Sequence, residues 1–112
     1  MESTQKKDRI VAFLEDKKAK DISVIDIGAI SILADSFVIC SGTSSTHIKA
    51  LADEVEHKMG ELSQTCYHKE GYDTARWILM DYGDVVVHVF HEEDRSFYKL
   101  DRLWSDGNVS HK

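Results

Sequence analysis

The chain contains no proline, only two cysteines, and no apolar run near the length of a membrane span. Without proline there are no polyproline linkers, and neither a low-complexity segment nor an internal repeat is visible. A spanning helix needs about 20 consecutive apolar residues, so no membrane partner is expected. The start, "MESTQKKDRI", carries charges but has no apolar segment behind them, and does not read as a signal peptide. Two cysteines, Cys40 and Cys66, make no disulfide framework. Without an export signal they are expected as reduced, buried thiols of a cytoplasmic protein. Positive charge is also short: 14 Lys and Arg stand against 20 Asp and Glu, a net charge of −6. Such a chain repels phosphate instead of releasing its counterions, which disfavours generic DNA or RNA binding. It suits a basic protein partner.

What is there fits one ordinary soluble domain. A chain of 112 residues has room for one core and buries roughly two-thirds of its unfolded surface, so it needs no metal or disulfide to fold. The domain is expected over residues 1–106, with 107–112 a short, frayed tail.

Residues 4–19 predict a helix, with Ile10, Val11, Phe13 and Leu14 as its apolar patch and Lys17, Lys18 and Lys20 beyond. "DISVIDIG" alternates Ile22 and Val24 against Ile25 and Ile27, the period of a strand. "AISILADS" reads as a loop, and "FVICSG" as a strand covered on both faces. After Gly42, a stripe of Ile48, Leu51, Ala52, Val55, Met59 and Leu62 predicts a helix capped by Ser44 or Ser45. "TCYHKEG" reads as an outer strand, and 77–81 with 84–90 as an antiparallel hairpin turning at Tyr82 and Gly83. The acidic 92–94 opens a final helix carrying Phe97, Leu100, Leu103 and Trp104, with Lys99 and Arg102 toward its end. The fold class is therefore α/β: a mixed sheet of about five strands with helices packed on it.

No residue cluster spells out catalysis. Asp81 and Asp84 flank the hairpin turn, where aspartates serve local backbone amides more often than a metal. His88 lies among valines and is expected as a hydrogen-bonded core residue, served by Tyr82 or a cross-strand backbone group. "FHEEDR" has neither zinc nor calcium spacing, and acids at a helix start need no further cause. "SGTSS" (41–45) sits where a phosphate-binding turn would, but lacks the glycine patterns of a P-loop or dinucleotide fold. No catalytic residue, metal or cofactor is expected. Trp77, Leu79 and Asp81 fall on one strand face by the period of two. They make either a protein-binding row or, for Trp77, packing under a helix.

Taken in order, "ADSFVICSGTSSTHIKALADEV", "DYGDVVVHVF" and "RSFYKLDRLW" resemble the ribosomal silencing factor family, also called Iojap-like. The likeness runs from the first helix to Trp104. Ser36 departs from the aromatic usual in the "ADxFVI" stretch, and Cys40 from a frequent alanine. The resemblance implies binding to the large ribosomal subunit through its fourteenth protein, blocking the joining of the small subunit. Translation would then be repressed when nutrients are short; organelle relatives take part in large-subunit assembly. It implies a nucleotidyltransferase-like topology without the catalytic carboxylates, since Asp53 and Glu54 are consecutive and point apart. It further implies an exposed hairpin end of Trp77, Leu79, Asp81, Tyr82 and Asp84 docking on the ribosomal protein. A nucleotide-binding regulator using the 41–45 turn is the rival reading, and a homodimer of the free protein stays open.

Overall fold

Gln5 reaches back to the amide of Glu2 at 3.3 Å and closes the start of the first helix, α1 (Ser3–Asp16). Lys17 caps its far end and Lys18 follows at φ 61°, so the helix stops three residues short of the expected 19. The computed structural model describes residues 1–28, 34–94 and 108–111. Within them follow β1 (Lys20–Asp26), β2 (Ser36–Gly42), α2 (Ser45–Glu61), β3 (His68–Glu70), β4 (Trp77–Asp81), β5 (Val85–His91) and β6 (Asn108–His111). Among the described residues no helix is long and apolar enough to cross a membrane.

The strands form one mixed sheet in the order β3-β4-β5-β2-β1-β6. At its centre β2 runs parallel to β5; every other pairing is antiparallel. The crossover that permits the parallel pair runs through α2 and then out to β3 and β4 before returning. The expected five strands are present, and β3 is an outer strand as read. A sixth was not foreseen: Asn108–His111 pairs antiparallel with β1, where the sequence suggested a frayed tail. A four-residue edge strand has too few positions to show alternation, so only its partner reveals it. Residues 92–94 begin a helix as expected, whereas Phe97, Lys99, Leu100, Arg102, Leu103 and Trp104 lie outside the described residues.

Alternation divides the core in two. Val38 and Cys40 of β2, Val85, Val87 and Val89 of β5, Ile78 and Met80 of β4 and Ile22 of β1 face both helices. There they meet Ile10, Val11 and Leu14 of α1 and Ile48, Leu51, Val55 and Met59 of α2, all buried. The opposite face carries Ile25, Ile27, Ile39 and Phe90, with Phe37, Trp77 and Val86 packed against them. Neither α1 nor α2 covers that second face. Cys40 is buried and Cys66 half-buried, both as free thiols.

Gly71 is the tightest backbone position. It sits at φ +80°, and a Cβ there would overlap the carbonyl oxygen of Trp77 at the start of β4. Gly71→Ala is expected to cost roughly 2–3 kcal/mol, since both the left-handed backbone and the clash oppose it. Urea unfolding would measure this, and an unchanged midpoint would show that the turn relaxes freely.

Candidate functional site

β4 alternates half-buried Trp77, Leu79 and Asp81 with buried Ile78 and Met80. The three predicted site residues therefore share the sheet face away from α1 and α2. Register sets their neighbours: Trp77 stands opposite Phe90, Leu79 opposite His88 and Asp81 opposite Val86. On the other side, Glu70 lies opposite Leu79 and His68 opposite Asp81, with His68 Nε2 2.8 Å from Glu70 Oε1.

Trp77 lies under neither α1 nor α2, and its ring is held in place. Its indole N–H donates to His88 Nδ1 at 3.1 Å, and its ring stacks on Phe90 with centroids 5.0 Å apart. Phe37 meets the same imidazole edge-on at 4.6 Å. His88 is thus the buried, hydrogen-bonded histidine expected of it, but its partner is Trp77; Tyr82 lies on the opposite face. Because Nδ1 accepts, the neutral ring carries its proton on Nε2, which has no partner among the described residues. Burial pushes the His88 pKa down to about 4, because a charged imidazole would lose its water there.

The turn is built from local bonds and one distant clamp. Asp81 Oδ1 accepts from the Gly83 amide at 2.7 Å, and Tyr82 N donates to the Val85 carbonyl at 2.9 Å. Lys6 Nζ, reaching from α1, binds Asp84 Oδ1 at 2.7 Å and the Tyr82 carbonyl at 3.0 Å. The Asp84 carbonyl accepts from Asp35 N and Ser36 N, which anchors the turn to the start of β2.

One expectation about exposure needs correction. Tyr82 is only 1% exposed: the strand parity turns its ring into the helix-side core. Its hydroxyl pKa is raised, first by burial and then by the nearby Cys66 and Glu56. Asp84 is half-buried, as Trp77, Leu79 and Asp81 are, and its charge is paired with Lys6. The structure therefore brings Trp77, Leu79 and Asp81 together and removes Tyr82 from the surface. Sequence reasoning missed Lys6, because nothing local ties it to a residue 78 positions away. It also missed the Trp77–His88 bond, although the hairpin register contains it.

The other motifs are occupied within the chain. Ser44 caps α2 by accepting from His47 N at 3.1 Å. Thr43 N donates to His47 Nδ1, and His47 Nε2, then protonated, donates to the Lys17 carbonyl at 2.8 Å. The 41–45 turn thus spends amides and imidazole in joining α2 to the end of α1. In "FHEEDR", Asp94 takes a two-pronged bond from Arg76 at 2.6 and 2.8 Å, and this guanidinium holds the Asp94 carboxyl below its ordinary range. Asp53 accepts from the Tyr72 hydroxyl at 3.1 Å.

Comparisons with known proteins agree with one another. A family model described as ribosomal silencing factor during starvation matches residues 1–112. A Bacillus subtilis protein named ribosomal silencing factor RsfS is 46% identical over 99 residues, 88% of this chain and 84% of that one. A mouse protein named mitochondrial assembly of ribosomal large subunit protein 1 is 34% identical over 88% of this chain, which spans 44% of the mouse protein. A crystal structure from Chromobacterium violaceum superposes with a TM-score of 0.91 at 34% identity, covering 94% of this chain and 88% of that one.

The depressed His88 pKa makes a pH prediction. The unfolded imidazole takes a proton near pH 6.5 and the folded one only near 4. Stability is therefore fully present above pH 6.5 and falls as pH drops toward 4, by on the order of 3 kcal/mol from this residue. Urea unfolding at pH 7 and pH 4.5 is expected to show a smaller acid loss in His88→Gln, whose amide oxygen can still accept from Trp77. Equal acid loss in both proteins would remove His88 from this role.

Proposed function

The chain belongs to the ribosomal silencing factor family, and from that premise we propose that it binds the large ribosomal subunit through the subunit's fourteenth protein. Seated there, it blocks joining of the small subunit and so represses translation under nutrient limitation. The observation that carries this reading is the family match across the whole chain. Bound to the joining face, a body 34 by 34 by 23 Å obstructs the approach of the second subunit by bulk alone. No substrate is turned over, and no cofactor enters.

The row Trp77, Leu79 and Asp81 is the proposed docking face. Support comes from its composition and position: an aromatic, an aliphatic and a carboxylate lie half-exposed on the sheet face that α1 and α2 leave uncovered. Aromatic anchors set among apolar neighbours dominate many interfaces. Asp81 offers a carboxylate to a basic ribosomal protein, as does the net charge of −6 at longer range. Tyr82 has no part in the contact, and Asp84 acts through Lys6 to hold the hairpin end in shape. The setting is the cytoplasm.

A role in large-subunit assembly is the second reading, favoured by the name of the mouse relative. Nucleotide binding finds less support, because the Thr43 amide and the cap of α2 are engaged within the chain.

Co-sedimentation with isolated subunits, followed by a subunit-joining assay, tests the proposal. Wild-type protein is expected on the large subunit alone, with joining suppressed. Trp77→Ala is expected to bind about thirtyfold more weakly, roughly 2 kcal/mol, once its folding has been verified. Normal binding by the folded variant would move the docking face elsewhere. Binding of the wild type to neither subunit would overturn the functional reading.

A further inference from the structure

Tyr67 is 71% exposed, and among the described residues only it and Met1 leave a large apolar side chain exposed. Its backbone is firmly held: Tyr67 N donates to the Asp81 carbonyl at 2.8 Å, continuing the β3–β4 ladder past its last pair. Its ring lies over Gly83, close enough that a Cβ added there would stand 3.3 Å from the ring edge. The amide of the same Gly83 is bound by Asp81 Oδ1. An exposed ring and a carboxylate thus both bear on Gly83, at one corner of the hairpin end.

Neither group is met by a cation among the described residues. Among the described residues no ion pair involves Asp81. Tyr72 shows the contrast, since Lys49 and Lys69 lie 5.3 and 4.6 Å from its ring centre while Asp53 takes its hydroxyl. The Tyr67 ring and the Asp81 carboxylate both lie against Gly83, and among the described residues no lysine stands over that ring.

We propose that Tyr67 and Asp81 form a corner that receives an arginine or lysine side chain of the ribosomal partner. It extends the Trp77–Leu79–Asp81 row around the edge of the sheet and rests on the docking reading above. The ring face attracts a cation through its quadrupole, and the carboxylate adds a charge-assisted hydrogen bond. An arginine can use both at once, its plane on the ring and its N–H groups on the oxygens. Charge complementarity commits the occupant: the corner is acidic and aromatic, which fits a basic protein surface.

The test is binding of wild type, Tyr67→Ala, Tyr67→Phe, Asp81→Asn and the double variant Tyr67→Ala/Asp81→Asn to purified large subunits, at two salt concentrations. Tyr67→Ala is expected to weaken binding about fivefold and Tyr67→Phe less than about twofold, because the ring and not the hydroxyl is used. The double variant is expected to lose less than the product of the single losses, since both groups hold one cation. Melting temperatures of the Tyr67 variants should match the wild type, because the side chain is exposed. Wild-type affinity in Tyr67→Ala, or strictly multiplicative losses, would overturn the corner while leaving the docking reading intact. A wild type that fails to bind large subunits would remove both, and the two failures are thereby told apart.

Discussion

Seven residue pairs hold β2 parallel to β5, from Ser36 opposite Val85 to Gly42 opposite His91, and every functional placement follows from that register. It sends Val38, Cys40, Val85, Val87 and Val89 toward the helices. It sends Phe37, Ile39 and Phe90, with Val86 beside them, to the other side. A slip of one residue would exchange these faces, turning Phe37, Ile39 and Phe90 toward the helices and Val85, Val87 and Val89 away from them. β4 takes its register from β5, so the same constraint decides that Trp77, Leu79 and Asp81 stand on the face away from α1 and α2.

On that face the aromatic residues are organised by a histidine. Trp77 would be a loosely held indole if its N–H had to find water. His88 gives it a fixed acceptor, and Phe90 gives it a flat bed. A fixed ring loses less rotamer entropy on binding than a mobile one, which suits an anchor. The cost is a buried imidazole with one nitrogen unpartnered among the described residues, kept neutral by its surroundings.

The acidic side chains divide into those the fold consumes and those it leaves. Asp84 is bound by Lys6, Asp94 by Arg76, and Asp53 by the Tyr72 hydroxyl. Asp81 spends one oxygen on the Gly83 amide and no charge on any described cation. The aspartates flanking the hairpin turn therefore do different work, though sequence alone treats them alike. One locks the turn to α1; the other faces outward as part of the proposed docking row.

Much of the architecture was legible along the chain. The stripe Ile48, Leu51, Ala52, Val55 and Met59 marked α2, the alternation of Ile22 and Val24 against Ile25 and Ile27 marked β1, and the hairpin bounds at 77–81 were read correctly. Three ordered motifs also placed the chain in its family. These signals are local: each depends on residues two to four positions apart, which the backbone period alone brings together. Tertiary structure decided the rest. Tyr82 turned inward while Tyr67 stayed out, Asn108–His111 found an edge on β1, and Lys6 crossed to Asp84. Each of these depends on which strand or helix comes to lie alongside another, and hydrogen bonds and ion pairs between distant segments leave no periodic trace in the sequence that makes them.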